Sequence, residues 1–224
     1  MDWIAFLLTL KLALAVCALL LMIGLPIAYW LAFSRWRGKF LVEALVGLPL
    51  VLPPTVLGFY ILLGFGPSSM LGQAWQRIAG SPLPFTFEGL VFASVLYSLP
   101  FMVQPVAAAF AAVDPKLVGA SSTLGSSSWS TFRRVLFPLS FGGVLTGVVL
   151  SFAHTLGEFG VVLMVGGNIP GRTRTISISI YDQVQTLDYQ AAAKTSSVLL
   201  LLSFAILAFI YGWNRRSLLW PRPQ

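Results

Sequence analysis

The sequence predicts an all-α integral membrane protein with about five transmembrane helices, its N-terminus outside and its C-terminus in the cytoplasm. Three observations carry that prediction. Of the 224 residues 57% are hydrophobic and 9% charged, against about 25% charged in soluble domains. The mean hydropathy is +0.86, too high for a chain that must build a polar shell, which excludes an aqueous enzyme. The basic residues gather in alternate loops.

A spanning helix needs about 20 mostly apolar residues, because the hydrocarbon core is about 30 Å thick and each residue rises 1.5 Å. Five stretches meet that length, at about residues 4–33, 41–64, 87–112, 138–165 and 192–213, within one transmembrane domain over 1–224. The first stretch follows Met1-Asp2-Trp3 with no basic residue in front of its apolar core, so it is expected to stay attached. Val16 before Cys17 is too large for a lipoprotein cleavage site, and one cysteine allows neither an intrachain disulfide nor a cysteine metal cluster.

In the second stretch Pro49, Pro53 and Pro54 remove backbone donors ahead of Thr55. A bend follows, and in lipid the freed carbonyls need neighbours or a cavity; the segment is either a pathway wall or a packing kink. Residues 65–86 read as an irregular outer loop with a short helix around Leu71 to Ile78. After the third stretch, residues 113–137 hold a short cytoplasmic helix. Asp114 is its N-cap, Pro115 its first residue and Gly125 its stop.

The fourth stretch carries Gly143 and Gly147 as a GxxxG pair, fit for close helix approach within one chain or between two. It also carries His154 and Glu158, four apart and so on one helical face. Counted from Pro138 along a straight helix, Glu158 falls near the outer boundary. Two ligands do not make a metal site, so none is expected; the pair is either a capping or interhelical contact or part of a pathway. Gly166 to Gly171 form a turn cluster, and Thr175 to Leu187 an interfacial segment of open conformation, with Ile176, Ile178 and Ile180 alternating.

Orientation follows from the loops. Arg35, Arg37, Lys39, Lys116, Arg133, Arg134, Arg215, Arg216 and Arg222 lie on one side, against Arg77, Arg172 and Arg174 on the other. The positive-inside rule makes the first set cytoplasmic. The net charge of +7 then reflects basic loops, and no nucleic acid partner is expected. Arg172 and Arg174 beside Asn168 stand at an outer turn, placed to meet an acidic partner surface.

Signatures of chemistry are missing: no GxSxG, no HExxH and no GxxxxGK[ST] loop is present. Neither catalytic residues nor a cofactor are expected, and any ATP chemistry belongs to a partner. Tyr181-Asp182 has no second aspartate placed opposite it.

The run Asp114-Pro115-Lys116-Leu117-Val118-Gly119-Ala120-Ser121-Ser122-Thr123-Leu124-Gly125, with Trp129, Phe132, Arg133 and Phe137-Pro138-Leu139 after it, resembles the EAA loop of ABC importer permeases. Gly119-Ala120-Ser121 replaces Glu-Ala-Ala, so an ion pair from that Glu is lost while the docking helix remains. Pro53-Pro54-Thr55 in LPPT, Gly157-Glu158 in LGEFG and Asn168 to Thr173 in NIPGRT recur together in order. They make nearly the whole chain similar to the molybdate permeases of type I ABC importers; sulfate permeases share a version of LGEFG. Such relatives often carry Arg just before LGEFG, where this chain has His154.

The resemblance implies a type I permease fold in a bacterial inner membrane, with two copies forming the pore. Each would dock on a cytoplasmic ABC ATPase subunit, and a periplasmic binding protein would deliver molybdate. Asp114, Pro115, Lys116, Leu117, Gly119, Ala120, Thr123, Leu124, Gly125 and Pro138 would couple to the ATPase. Pro53, Pro54, Thr55, His154, Gly157 and Glu158 would line the pathway, and Asn168, Arg172 and Arg174 would touch the binding protein. The alternatives are a permease for sulfate, thiosulfate or tungstate, a channel or secondary transporter, and a membrane scaffold. Broken spans and a capped lever count against the scaffold, and the scarcity of ionisable groups in the spans counts against proton coupling.

Overall fold

The computed structural model describes residues 1–218. Of the basic tail, Arg222 lies outside the described residues. The described residues form helices only: four are long and apolar enough to cross a membrane, and one further bent pair meets the same test when taken together.

The first long helix, α1 (Trp3–Phe33), starts where the Asp2 carboxylate accepts from the Ala5 amide at 2.9 Å. It packs on two others, the third and fourth predicted spans, and the three make the core, with Leu12, Val16, Leu20, Met102, Val106, Phe110 and Val144 buried between them. Burying such side chains against each other also satisfies the close packing that, between apolar helices in lipid, replaces the hydrophobic effect as the force for association.

The second span is not one helix. It divides into α2 (Lys39–Val51) and α3 (Pro54–Phe65), whose axes differ by 113°. Leu52 between them is extended at φ −71°, ψ 134°, the conformation that a following proline imposes. Pro53 and Pro54 together offer no amide, so no helical hydrogen bond bridges the break. Pro49, by contrast, is absorbed inside α2. The bend expected within 41–64 is thus a full break into two helices.

Outside, α4 (Met70–Ala79) is capped by Ser69 and ends at Gly80, φ +74°, close to the helix expected there. The third span, α5 (Phe87–Ala111), is capped by Thr86, whose hydroxyl accepts from the Gly89 amide at 3.1 Å. On the cytoplasmic side follow α6 (Pro115–Thr123) and α7 (Ser128–Thr131).

The chain then passes through a π-turn, Phe132–Leu136, into α8 (Phe137–Gly157) without a stop. Pro138, read from sequence as the start of the span, does not begin it: the apolar helical run extends from Ser128 to Gly157. The wider π-turn, in which the Phe137 amide bonds to the Phe132 carbonyl, accommodates the missing donor of Pro138. Nor does the span run on to 165. It breaks at Glu158 and Phe159, and α9 (Gly160–Gly166) follows, packed against α3.

Gly143 and Gly147 face α5: a methyl group at Gly143 would meet Ala109, and one at Gly147 would come within 3.0 Å of the Met102 carbonyl. The GxxxG pair thus packs within the chain. The ambiguous segment is helical, α10 (Ile176–Gln185), capped by Thr175 and tied to α1 by the Ile176 amide donating to the Thr9 hydroxyl at 2.8 Å. Its alternating isoleucines look like a strand, but Ile176 and Ile178 are buried by packing on α1 and α8. The last helix, α11 (Tyr189–Leu218), is the least buried of the long helices.

Candidate translocation site

The two broken spans meet. Gly160 opens α9 directly against Pro54 at the start of α3, where an added methyl would stand 2.7 Å from the proline Cβ. Only glycine permits this approach. Pro53, Thr55 and Gly157 stay exposed on the open side of the junction.

Behind it a polar cluster links α5 and α8. The Ser98 hydroxyl lies 2.9 Å from His154 Nδ1 and 3.2 Å from the Thr155 hydroxyl, which itself donates to the Ser151 carbonyl at 2.8 Å. The His154 ring stacks on Phe101 with centroids 4.1 Å apart and sits 4.9 Å from Tyr97. Ser98 is fully buried and shared between two partners, so its oxygen is closed to a substrate and the serine–histidine contact holds helices together.

Glu158 is the C-cap residue of α8 and only 4% exposed. Both its carboxyl oxygens, and the hydroxyls of Ser94 and Ser151, lack a hydrogen-bond partner among the described residues. Leaving such groups unpaired costs free energy. Ser98, the partner of His154, lies near the middle of α5. Glu158 closes α8, and α9 follows after the break.

Among the described residues the ion pairs are Lys39–Glu43 and Arg174–Asp182, neither within this cluster. The arrangement offers hydroxyls, an imidazole and bent backbone but no fixed cation, and no group of metal ligands occurs among the described residues. Ser94, Ser98, Tyr97 and Ser151 went unnoticed in the sequence. Their signal was there: Ser94 and Ser98 are spaced by four, as are Ser151 and Thr155, the pattern by which small polar residues face another helix.

The cytoplasmic lever is built locally. The Asp114 carboxylate accepts from the Lys116 amide at 2.8 Å, α6 follows from Pro115, and Gly125 at φ +78° turns the chain. Ser121, in the last place of the replaced Glu-Ala-Ala, is 2.9 Å from Thr131 and braces α6 on α7. No residue of α6 is buried, and Leu117 and Leu124 are exposed.

At the outer turn Thr173 is buried and donates to the Gly166 carbonyl at 2.6 Å. Arg174 bonds Asn168 and pairs with Asp182 at 3.4 Å, whereas Arg172 is exposed. The two arginines differ: one organises the turn and the other faces outward.

Residues 24–218 match the family described as binding-protein-dependent transport system inner membrane component. The chain is 50% identical to the molybdenum transport system permease protein ModB of Azotobacter vinelandii, over 96% of this chain and 95% of that one. It is 34% identical to ModB of Escherichia coli K12 over 96% and 94% of the two chains, and 34% identical to the sulfate permease CysT of the same organism over 82% and 66%. In fold it resembles the MetNI methionine ABC transporter (TM-score 0.73, 17% identity, 95% of this chain and 94% of that one). It also resembles a bacterial alginate ABC transporter solved with a periplasmic protein (TM-score 0.71, 18% identity, 95% and 79%). With broken apolar spans, a short capped helix between the third and fourth of them and a family match over most of its length, the chain belongs to the binding-protein-dependent inner-membrane transport components and has the type I ABC importer permease fold.

Proposed function

We propose that the chain, as a single permease domain over 1–224, carries molybdate inward across the membrane as one of two identical copies. A cytoplasmic ABC ATPase dimer drives it and a periplasmic molybdate-binding protein supplies it. The observation that carries this reading is the 50% identity, over 96% of the chain, to a molybdenum permease. The alginate relative's periplasmic protein supports the kind of outer partner.

The mechanism is alternating access. Closure of the ATPase dimer moves α6, gripped through Leu117, Gly119, Ala120, Thr123 and Leu124. The brace between Ser121 and Thr131 passes the motion through the π-turn and Pro138 into α8. That helix moves the junction at Pro53, Pro54, Thr55, Gly157 and Glu158, with His154 anchoring it to α5. Arg172 meets the binding protein, while Asn168 and Arg174 hold the turn that presents it. A weakly polar wall suits this task, since an anion held tightly within the membrane would not leave.

The test is ATP hydrolysis and uptake by the reconstituted complex, with binding protein loaded in turn with molybdate, tungstate and sulfate. Molybdate should stimulate hydrolysis and enter, sulfate far less. The similarity to CysT favours sulfate as the second reading, and strong sulfate uptake without molybdate uptake would establish that reading in its place.

A further inference from the structure

Between the cytoplasmic ends of α1, α2 and α5 lies a cavity of ≈ 330 Å³, lined by Lys39, Glu43, Gln104, Ala107, Ala108 and others. The alanines keep it open where larger side chains would fill it. Gln104 is exposed and makes no hydrogen bond among the described residues. Gly47 lies opposite, its Cα side facing the Gln104 amide nitrogen, which a methyl there would meet at an ordinary contact distance of 3.7 Å. Lys39 Nζ pairs with Glu43 at 3.3 Å, their side chains 30% and 51% exposed.

Helix stability does not explain the pair. Lys39 is the first residue of α2, with Glu43 four residues after it. Both features run against the helix dipole, which favours acidic residues in the first turn and Glu ahead of Lys. What the arrangement does provide is one cation and one amide donor in a cavity on the cytoplasmic half of the broken span, with a carboxylate competing for the cation.

We infer that this cavity is an exit site for the transported divalent oxyanion, held briefly by the Lys39 ammonium and the Gln104 amide. Glu43 reclaims Lys39 and so sets how fast the anion leaves. The inference rests on the oxyanion reading above and adds to it a second, cytoplasmic contact point. A lysine without its competing carboxylate would hold a dianion longer, and a carboxylate without the lysine would repel it.

The experiment uses the permease bound to its ATPase in phosphatidylcholine nanodiscs, without binding protein, and measures retention of radiolabelled molybdate. Glu43→Gln should raise retention about twofold to fivefold, the equivalent of an exposed ion pair's worth, and in the complete transporter lower kcat with KM unchanged. Lys39→Gln and Gln104→Leu should abolish retention. Opposite signs for Lys39→Gln and Glu43→Gln are diagnostic, because a merely structural pair would give the same sign for both. Normal molybdate transport with unchanged retention in all three variants would overturn the exit site and leave the transport reading intact. Retention and transport of sulfate with none of molybdate would instead overturn the molybdate reading.

Discussion

None of the residues of α6 is buried, whereas Ser94, Ser98, Ser151, Thr155 and Glu158 of the polar cluster are all shielded from solvent. Both regions are short, polar and rich in small side chains, yet they are held in different ways. The lever draws its shape from neighbours in sequence: Asp114 caps it two residues away, and Ser121 reaches Thr131 ten residues on. The cluster depends on contacts between residues more than fifty positions apart, such as Ser98 with His154 and Thr155. A locally built element can move as a unit and be gripped from outside. A cluster built between helices changes only when the helices do.

The sharpest way to test that contrast is to place equivalent substitutions in the two regions. Gly160→Val forces a side chain into the rigid Pro54 ring, and overpacking of this kind costs about 1–3 kcal/mol. Uptake by the reconstituted complex should be lost while co-purification with the ATPase persists. Gly119→Ala meets nothing within 4 Å in this chain, so its thermal midpoint in detergent should stay at the parent value while that of Gly160→Val falls; equal loss of stability in both would erase the contrast.

Hydroxyl deletions are expected to have the next largest effect. Ser98→Ala strands His154 Nδ1 within the bundle, at a cost of about 1–3 kcal/mol, visible as a lower thermal midpoint in detergent. Ser121→Ala takes one bond from the buried Thr131 hydroxyl and should cost about 1 kcal/mol, less than Ser98→Ala, whose oxygen serves two partners.

Gly125→Val is smaller again in stability, about 1 kcal/mol, because the site is spatially open and only the φ of +78° is strained. Its effect should appear in coupling: ATP hydrolysis continues while molybdate uptake per ATP falls. Normal uptake per ATP would mean that the turn after α6 does not set the lever.

The smallest effect is expected at the outer turn. Arg172→Gln should weaken stimulation by loaded binding protein more at low than at high salt, since screening already removes the attraction at high salt. Arg174→Gln, which also frees Asp182 and Asn168, should reduce stimulation at both. A salt-independent loss for Arg172→Gln would remove the electrostatic role.

The amino-acid sequence by itself determined that the chain is helical and apolar enough to span a membrane, roughly where its apolar runs lie, the capped helix from Pro115 and the outer turns. Each depends on chemistry within a few residues: length of an apolar run, a cap, a proline, a glycine of positive φ. Asp114, Pro115 and Gly125 could be read directly for that reason. Only the tertiary structure decided that the kink at Pro53 is a full break of 113°, that α8 also breaks at Glu158, and that the two breaks meet through Gly160 and Pro54. It also decided that Gly143 and Gly147 pack against α5 and that His154 finds Ser98. A proline states that a hydrogen bond is missing but not the angle that results, and a glycine permits close approach without naming the neighbour. Those outcomes are set by which helix lies alongside, and that requires contacts between residues far apart in the chain.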